Sequence, residues 1–536
     1  MQPNLFILIW SDYDLKIIGT DWNACNYLPK LLSYTQKQIG FKDTGSKWKK
    51  RDIIYDVVKT YYTISKEELV SFPNLQGFVK NLEAMSHKDV FVIGTYQGLI
   101  DRVVDTIKKH GDLILNTFDT RTKFPEPDFS KMGGFRGNQE WFTRTLVAAN
   151  RSGIGKAPTR YGKTTCCGNI LRCYPLVNGK PQVRFIVSAP GVNLLPQLSA
   201  SLHRMLPDRE IKDIYSGSKD RTECDDINIV SPDSLHKIRK DAGPTIFVGD
   251  ETHCYGASIR SLNLNQFVHT RYLSIGATDT GRFSGNDIVI EGLFGPRLVE
   301  TTYKDCVELG MLCPIEVSII RVPYKPFRCA TRDTAYKKLV YSNKTFAKLV
   351  DKIQKDIVPQ QWQTLIFIST EKQGDFFNQT FEHPMRLAMD KTFKGYDRED
   401  GTHVSANKER LEFLKMLEKN EVKRCLCSSI YSTGVTIPEI KCIINCQGGG
   451  GSISSVQKPG RLAEIKPNKK AGYLIDFLFE PIIETAEDEV IFKDSQCKSV
   501  NRDCLNRIKS YKKTGYKIEY MDSPEEIRFS DAIPTT

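Results

Sequence analysis

The chain has 536 residues, more than one ordinary hydrophobic core holds, so two to four domains are expected. Hydrophobic residues make up 40% of the sequence and charged residues 26%, which is typical of a soluble globular protein. The formal charge of +12 is a weak indication of an anionic partner, of which nucleic acid is the commonest.

No apolar run in the sequence is long enough to span a membrane. The first one, LFILIW at residues 5–10, has no basic segment before it and acidic residues just after it, so it predicts a strand rather than a signal peptide. The fifteen cysteines are scattered, without the spacing of a zinc site, and indicate reduced thiols. We therefore expect a cytoplasmic protein with no membrane partner.

Residues 1–130 mix short apolar runs with charged turns, carry no recognisable motif, and are predicted to form an accessory domain. The stretch KFPEPD at residues 123–128, followed by two glycines, predicts the linker that ends it. Within this domain, GSKWKKRD surrounds Trp48 with basic residues, a pattern suited to phosphate and an exposed base. A solvated charged turn is the simpler interpretation of the same residues.

From residue 131 onward, short β-rich runs alternate with segments of helical character, which favours parallel sheets with crossover helices. The first series predicts one α/β unit over residues 131–315, and the second series predicts another over residues 316–480. A charged, mostly helical tail is expected over residues 481–536. The runs of the two series are VRFIVSAP, INIVSP, TIFVGDE and YLSIGAT, then QTLIFIST, KRCLCSS, KCIINC and AGYLIDF.

The segment APTRYGKTT, residues 157–165, has the residue types of a phosphate-binding loop. Gly162 permits close approach of the backbone, Lys163 is placed to reach the β- and γ-phosphates, and Thr164 offers its hydroxyl to Mg²⁺. The helix that follows points its positive end at the same anion. However, Ala157 and Arg160 stand at positions where glycine is expected, and a bare GKT occurs often by chance.

A second element lies about ninety residues further on, where the apolar run TIFVGD ends in an acidic pair. Carboxylates at the carboxyl end of a strand lie where α/β sheets bind ligands. Asp250 is suited to hold Mg²⁺, and Glu251 is suited to polarise the attacking water. An acidic turn is the alternative for this element alone, but the two elements together predict an ATP site.

The order of these and further motifs resembles that of superfamily 2 helicases, and the resemblance covers roughly residues 133–480. It is nearest to the branch of UvsW-like branch-migration helicases, because the link after the third motif and the segment IYSTGVTIPEIKCIIN match that group. The resemblance implies two tandem RecA-like lobes. The motifs are FRGNQ, APTRYGKT, FIVSAPGVNLLPQ, NIVSPDSLHK, DETH, GATDTG, LIFIST, SSIYSTGVTIPEI and SSVQKPGRLAE.

Roles for single residues follow from this resemblance. The implied catalytic residues are Lys163, Asp250, Glu251 and the arginine finger Arg461. The implied metal-binding residues are Thr164 and Asp250. The implied nucleotide-binding residues are Gln139, which would read the adenine edge, and Thr159, Arg160, Gly162, Lys163, Thr164, Thr165, Gly434 and Gln457. Links from the nucleotide to the DNA-facing side are implied for His253, Thr278 and Gln457.

Three positions depart from the motifs of these helicases. Gly276 stands where a serine or threonine begins the third motif, so a hydroxyl that couples hydrolysis to movement is missing there. Glu464 replaces a second arginine three residues after Arg461, and we expect it to turn away and pair with a nearby lysine or arginine. Arg160 replaces a loop glycine, and we expect a loop with ordinary φ at this position, because only glycine adopts positive φ easily.

The sequence thus predicts a monomeric, ATP- and Mg²⁺-dependent DNA helicase or translocase that acts on forked or branched DNA and, if encoded by a phage, in the host cytoplasm. Backbone-directed DNA contacts are expected from small polar residues at strand ends. Three alternatives stay open: an RNA helicase, the motor subunit of a restriction system, and a binding scaffold with a weakened ATPase. The segments expected to contact DNA are 188–191, 231–237 and 369–372.

Overall fold

A computed structural model describes residues 5–531 apart from 13, 20–26, 40–49, 57–59, 66–88, 191–193, 219–220, 257, 278–286, 390–391, 399–402, 429–439, 451–457 and 468. Its contacts divide the chain into two compact units. One unit comprises residues 1–157 and 162–301, and the other comprises 158–161 and 302–536. No helix within the described ranges is long and apolar enough to cross a membrane.

The first unit opens with a small mixed α/β region. Its five-stranded sheet has the order β5-β6-β2-β1-β7, in which only β1 and β7 run parallel, and β3 pairs with β4 in a separate antiparallel ribbon. The amphipathic helix α2 packs on β7 through its buried face. The elements are β1 (Leu5–Trp10), β2 (Leu15–Gly19), α1 (Tyr27–Leu31), β3 (Ser33–Ile39), β4 (Lys50–Asp56), β5 (Thr60–Ser65), β6 (Asp89–Thr95), α2 (Ile100–Lys109) and β7 (Leu113–Asp119).

The rest of the first unit is a seven-stranded, all-parallel sheet of order β10-β11-β9-β12-β13-β8-β14. Its central strands are buried along their whole length, as expected where helices cover both faces. Its elements are α3 (Gln139–Ala148), β8 (Gly153–Lys156), α4 (Lys163–Arg172), β9 (Arg184–Ser188), α5 (Leu194–Met205), β10 (Ile211–Ile214), β11 (Ile227–Val230), β12 (Thr245–Asp250), α6 (Ser258–Leu264), β13 (Thr270–Gly276), α7 (Asp287–Phe294) and β14 (Arg297–Glu300).

The second unit holds another all-parallel sheet of seven strands, β17-β20-β16-β21-β22-β15-β23, with a short β18-β19 hairpin. The predicted α/β class with two tandem parallel-sheet lobes is therefore confirmed. Its elements are α8 (Tyr303–Glu308), β15 (Ile315–Tyr324), α9 (Arg332–Tyr336), α10 (Lys344–Lys352), β16 (Gln363–Phe367), α11 (Glu371–Thr380), β17 (Leu387–Ala388), β18 (Tyr396–Asp397), β19 (His403–Val404), α12 (Ala406–Glu418), β20 (Arg424–Cys427), β21 (Ile440–Asn445), β22 (Gly472–Pro481), α13 (Ala486–Asp494), α14 (Lys498–Thr514) and β23 (Lys517–Met521).

The C-terminal segment is built into the second unit. Its strand β23 pairs with β15 at the edge of the sheet, and helix α14 packs on β22. Arg507 of α14 binds Asp476 of β22 through two contacts, Nε–Oδ2 at 2.9 Å and Nη2–Oδ1 at 3.0 Å. Tyr511 donates its hydroxyl to the same carboxylate at 2.7 Å. A buried, hydrogen-bonded carboxylate thus joins the last helix to the centre of the sheet.

The N-terminal region and the first parallel sheet share one hydrophobic cluster, which runs from Phe6 to Phe294. Gln97 donates its side-chain amide to the Leu293 carbonyl at 3.0 Å, and this contact is buried. At the surface of the same contact, Arg151 pairs with Asp101 at 2.8 Å. The N-terminal region is therefore packed against the sheet that carries the phosphate loop.

Candidate nucleotide site

The phosphate loop lies between β8 and α4, at the carboxyl edge of the first parallel sheet. The Ala157 amide donates to the Gly276 carbonyl at 3.0 Å, which fixes the start of the loop to the end of β13. Gly162 precedes the helix with a φ of 97°, and its carbonyl accepts the amides of Thr165 at 2.9 Å and Cys166 at 3.2 Å. Helix α4 therefore begins directly after the loop, and the N-terminus of a helix is a common anion-binding site.

Gln139 lies against this loop. Its side chain is buried, and its Oε1 accepts the Arg136 amide at 2.9 Å. Its Nε2 lies only 2.3 Å from the place that a Cβ on residue 162 would occupy. Glycine at 162 is therefore needed twice, for its positive φ and for the space that the glutamine fills. The structure brings together the residue implied to read the adenine and the loop implied to hold the phosphates.

The acidic turn follows β12 directly. Glu251 adopts a left-handed φ of 52°, and its amide donates to the Asp250 carboxylate at 2.9 Å. Its carbonyl accepts the Cys254 amide at 2.8 Å, and its carboxylate lies 3.4 Å from Nδ1 of His253. A glutamate rarely adopts this backbone conformation, and such conformations cluster at functional sites.

Asp250, Lys163 and Thr164 line one small pocket, with apolar residues of β9, β12, β13 and α5 closing its floor. Burial raises the pKa of Asp250 to about 6, although the Lys163 ammonium acts in the opposite direction. The Thr164 hydroxyl and the Asp250 carboxylate are oxygen ligands of the kind that Mg²⁺ prefers, and the Lys163 ammonium is a cation suited to a phosphate. The donor set therefore fits Mg²⁺ and a nucleotide phosphate.

Arg160 corrects an expectation, because it adopts a positive φ of 71° where ordinary φ was expected. A non-glycine residue in the left-handed region costs about 1–2 kcal/mol. Its guanidinium lies 3.3 Å from the carboxylate of Glu464, and both side chains are largely buried. This ion pair helps to hold the strained residue, and it shows the partner that Glu464 was expected to find.

The remaining candidates lie in the second unit or outside the described residues. Arg461 is buried in a short 3₁₀ helix, Pro459–Ala463, whose Gly460 packs against the side chain of Thr159. Lys458, just before this helix, has its pKa lowered to about 8 by burial. Three implied residues lie outside the described residues, namely Thr278, Gly434 and Gln457.

Sequence reasoning missed a pair of buried hydroxyls beside the acidic turn. The side chain of Thr252 is hydrogen-bonded to that of Ser274 on β13, and Ser274 donates to the Gly249 carbonyl at 3.1 Å. The third helicase motif places a hydroxyl at position 276. In the structure, the hydroxyl on this strand belongs to Ser274, two residues earlier. The pair could have been suspected from the threonine in DETH and from the serine within an otherwise apolar strand.

Comparison with known proteins finds similarity to one protein family and to one viral protein. Residues 135–280 match the protein family described as "Type III restriction enzyme, res subunit". A protein of Sulfolobus islandicus filamentous virus (isolate Iceland/Hveragerdi), named "Putative helicase 22", is 24% identical over 364 residues, which is 64% of this chain and 62% of that protein. The chain thus spans less than two thirds of that relative's length.

Two solved structures are also similar. The ATP-dependent Type ISP restriction-modification enzyme LlaBIII bound to DNA aligns with a TM-score of 0.50 and 14% identity, over 76% of this chain and 33% of that one. T4 UvsW aligns over 96% of this chain and 98% of its own, with a TM-score of 0.38 and 15% identity. The first comparison supports the fold, and the second has too low a score to support more.

The predicted resemblance to superfamily 2 helicases is confirmed by the family match and the viral helicase. Because the viral relative is 24% identical and is matched over 62% of its length, the activity of this chain is itself a proposal. What the complete chain acts on, and which residues do so, are proposals.

Proposed function

We propose that the protein is an ATP-driven DNA helicase or translocase that remodels forked or branched DNA. One observation carries the proposal: Lys163 and Thr164, at the start of α4, line one pocket with Asp250 at the carboxyl edge of a parallel sheet. This is the place where open α/β sheets bind nucleotides. The motif order and the net charge of +12 support nucleic acid as the partner.

In this proposal each residue at the loop has a defined task. Lys163 binds the β- and γ-phosphates, and Thr164 and Asp250 hold the Mg²⁺. Bound Mg²⁺ would neutralise charge that develops on the phosphates. Gln139 recognises the adenine edge beside Gly162, while Thr159, Arg160 and Thr165 complete the loop around the nucleotide.

The hydrolytic step is assigned to the acidic turn. Glu251 accepts a hydrogen bond from the attacking water and orients it, and His253, 3.4 Å from its carboxylate, helps to fix the direction of that side chain. Arg461 supplies a positive charge to the phosphates during hydrolysis. Gln457 lies on the same motif as Arg461, and Gly434 lies on the motif before it. An arginine finger of this kind is worth about 10³–10⁵ in rate.

The finer features of the substrate follow from the motif resemblance. Strand ends on the face away from ATP, including Ser231 and Ser369, contact the DNA backbone, and the N-terminal region contributes to the grip on branched DNA. We propose that the motor acts as a monomer in the cytoplasm of the host cell, in recombination or repair.

A panel of substrates tests this proposal. Strand separation and ATP turnover are measured on forked DNA, Holliday junctions, linear duplex DNA and RNA duplexes, with Lys163→Ala as the inactive control. Preference for forks and junctions is the expected result. Turnover stimulated by RNA alone would establish the RNA helicase alternative, and turnover with movement on duplex DNA but no strand separation would favour a restriction-type motor.

A further inference from the structure

The acidic turn is held from behind by a chain of buried hydroxyls. Thr252 and Ser274 are both 0% exposed, and their side-chain oxygens are hydrogen-bonded to each other. Ser274 has one hydroxyl proton, which it donates to the Gly249 carbonyl at 3.1 Å. Thr252 must therefore be the donor in the first bond, so the chain runs from Thr252 through Ser274 to Gly249.

This chain joins both ends of the turn to a neighbouring strand. Gly249 lies before Asp250 and Glu251, Thr252 lies after them, and Ser274 belongs to β13, which pairs with β12 in parallel. Glu251 between them has a φ of 52°. A glutamate keeps such a conformation only where the surrounding structure holds it, and two buried hydrogen bonds on a rigid strand provide that support.

The glycine at position 276 fits the same arrangement. A Cβ on this residue would lie 2.8 Å from Oγ1 of Thr252 and 3.3 Å from its amide nitrogen. A side chain at 276 would therefore displace the Thr252 hydroxyl or the turn itself. The space that a serine or threonine would use at this position is filled by the hydroxyl of Thr252.

We propose that Thr252 and Ser274 are positioning residues that fix the direction of the Glu251 carboxylate, and that residue 276 is glycine because Thr252 occupies its side-chain space. The inference rests on the proposed ATPase function, since it assigns Glu251 a water to orient. The helicase motif has a hydroxyl at the position of Gly276. In this chain, hydroxyls are found instead at Thr252 in the acidic turn and at Ser274, two residues earlier on the same strand.

Isosteric variants provide the test. Thr252→Val keeps the volume and loses the donor, so kcat for ATP should fall about tenfold or more while KM stays within about twofold, because a small displacement of a catalytic group costs rate rather than affinity. Thr252→Ser is the matched control and should restore most of the rate. Ser274→Ala removes the bond with Thr252 and also the bond to the Gly249 carbonyl, so it should lower kcat at least as much as Thr252→Val. The double variant should be no worse than Ser274→Ala alone, because Thr252→Val removes no further bond of the chain.

A second readout does not depend on turnover. Hydrogen exchange of the amides of residues 251–254 in the nucleotide-free protein should be faster in Thr252→Val than in Thr252→Ser, at equal melting temperatures. Unchanged exchange, or equal kcat in the two variants, would overturn the inference. If wild-type protein hydrolyses no ATP but the exchange difference is present, the ATPase proposal fails while the support of the turn stands.

Discussion

Glu251 is the residue on which the proposed hydrolysis depends most directly. Its left-handed backbone and its contact with His253 aim the carboxylate from a turn at the edge of the sheet. Glu251→Gln keeps the size of the side chain and removes the base. We expect ATP binding to persist while kcat falls by about 10²–10⁴-fold.

Separate measurements distinguish the two effects of this variant. Nucleotide binding is followed with fluorescent ATP, and turnover is followed by phosphate release. Loss of binding in Glu251→Gln, with no specific effect on hydrolysis, would make the glutamate a structural residue of the turn.

Asp250 has a testable pH dependence. Burial raises its pKa to about 6, so the folded protein without metal binds a proton more tightly than the unfolded chain. The charged form therefore destabilises the folded state fully above about pH 6, and this cost decreases progressively as the pH falls from 6 toward the ordinary aspartate pKa of 3.8. Asp250→Asn should raise the stability of the metal-free protein at pH 7.5 by on the order of 2 kcal/mol.

Thermal unfolding of the wild type and Asp250→Asn at two pH values tests the direction of this stability difference. The stability gain of Asp250→Asn should shrink near pH 5, where wild-type Asp250 is largely protonated. Mg²⁺ should reverse the order at pH 7.5 if it binds the carboxylate, because the asparagine loses the ligand charge. A variant that is less stable than wild type in metal-free buffer at pH 7.5 would contradict the assigned environment.

Arg461 and Glu464 lie three residues apart, and their alanine variants should differ in the size of their effect on ATP hydrolysis. Arg461→Ala should reduce nucleic-acid-stimulated hydrolysis by about 10³-fold or more, since a transition-state charge is lost. Glu464→Ala is the matched control: its carboxylate is paired with Arg160, so its loss should change turnover far less. Normal hydrolysis in Arg461→Ala would refute the finger assignment.

At the scale of elements, the buried carboxylate of Asp476 is one of the groups that hold helix α14. Arg507 and Tyr511 both bind Asp476, and Arg507 also donates to the Gly449 carbonyl at 2.9 Å. Arg507→Ala should lower the free energy of unfolding by about 3–5 kcal/mol, because it leaves Asp476 buried without its cation.

Chemical denaturation monitored by circular dichroism measures this change. Lys509→Ala, on the exposed face of the same helix, is the control and should shift stability by less than about 0.5 kcal/mol. Equal stability of the two variants would show that α14 is not anchored through the carboxylate.

The parallel sheets could be predicted because their strands carry their own signal. Runs such as RFIVS and YLSIG place apolar residues on both faces of a strand, and both faces of these strands are buried. In the N-terminal sheet the apolar run LFILIW predicted one strand, but no short stretch indicates the order of the sheet, since it depends on pairings such as Leu5 with Leu113, far apart in the chain.

The residues of the site also divide into those that a local sequence motif indicates and those that depend on contacts between distant parts of the chain. Lys163 and Asp250 could be named from motifs because their neighbours along the chain define them. The positive φ of Arg160 depends on contacts such as that with Glu464, and the bond between Thr252 and Ser274 depends on two strands lying side by side. Neither contact can be recognised from the residues of a short stretch of sequence.

At the scale of the whole molecule, the chain combines a net charge of +12 with two parallel-sheet lobes and an N-terminal region packed on the first of them. The charge favours contact with phosphates, which in a translocating motor need not depend on base sequence. The central claim is that this chain uses ATP hydrolysis to act on nucleic acid.

The most direct test is ATP turnover by purified protein with and without forked DNA, in parallel with Lys163→Ala. Loss of the lysine removes the fixed cation from the phosphate site, so the variant should keep its fold and lose nearly all turnover. We expect DNA to raise the wild-type rate severalfold or more and to leave Lys163→Ala at background. Wild-type turnover in a folded Lys163→Ala protein, or a wild-type protein that binds DNA yet hydrolyses no ATP, would contradict it.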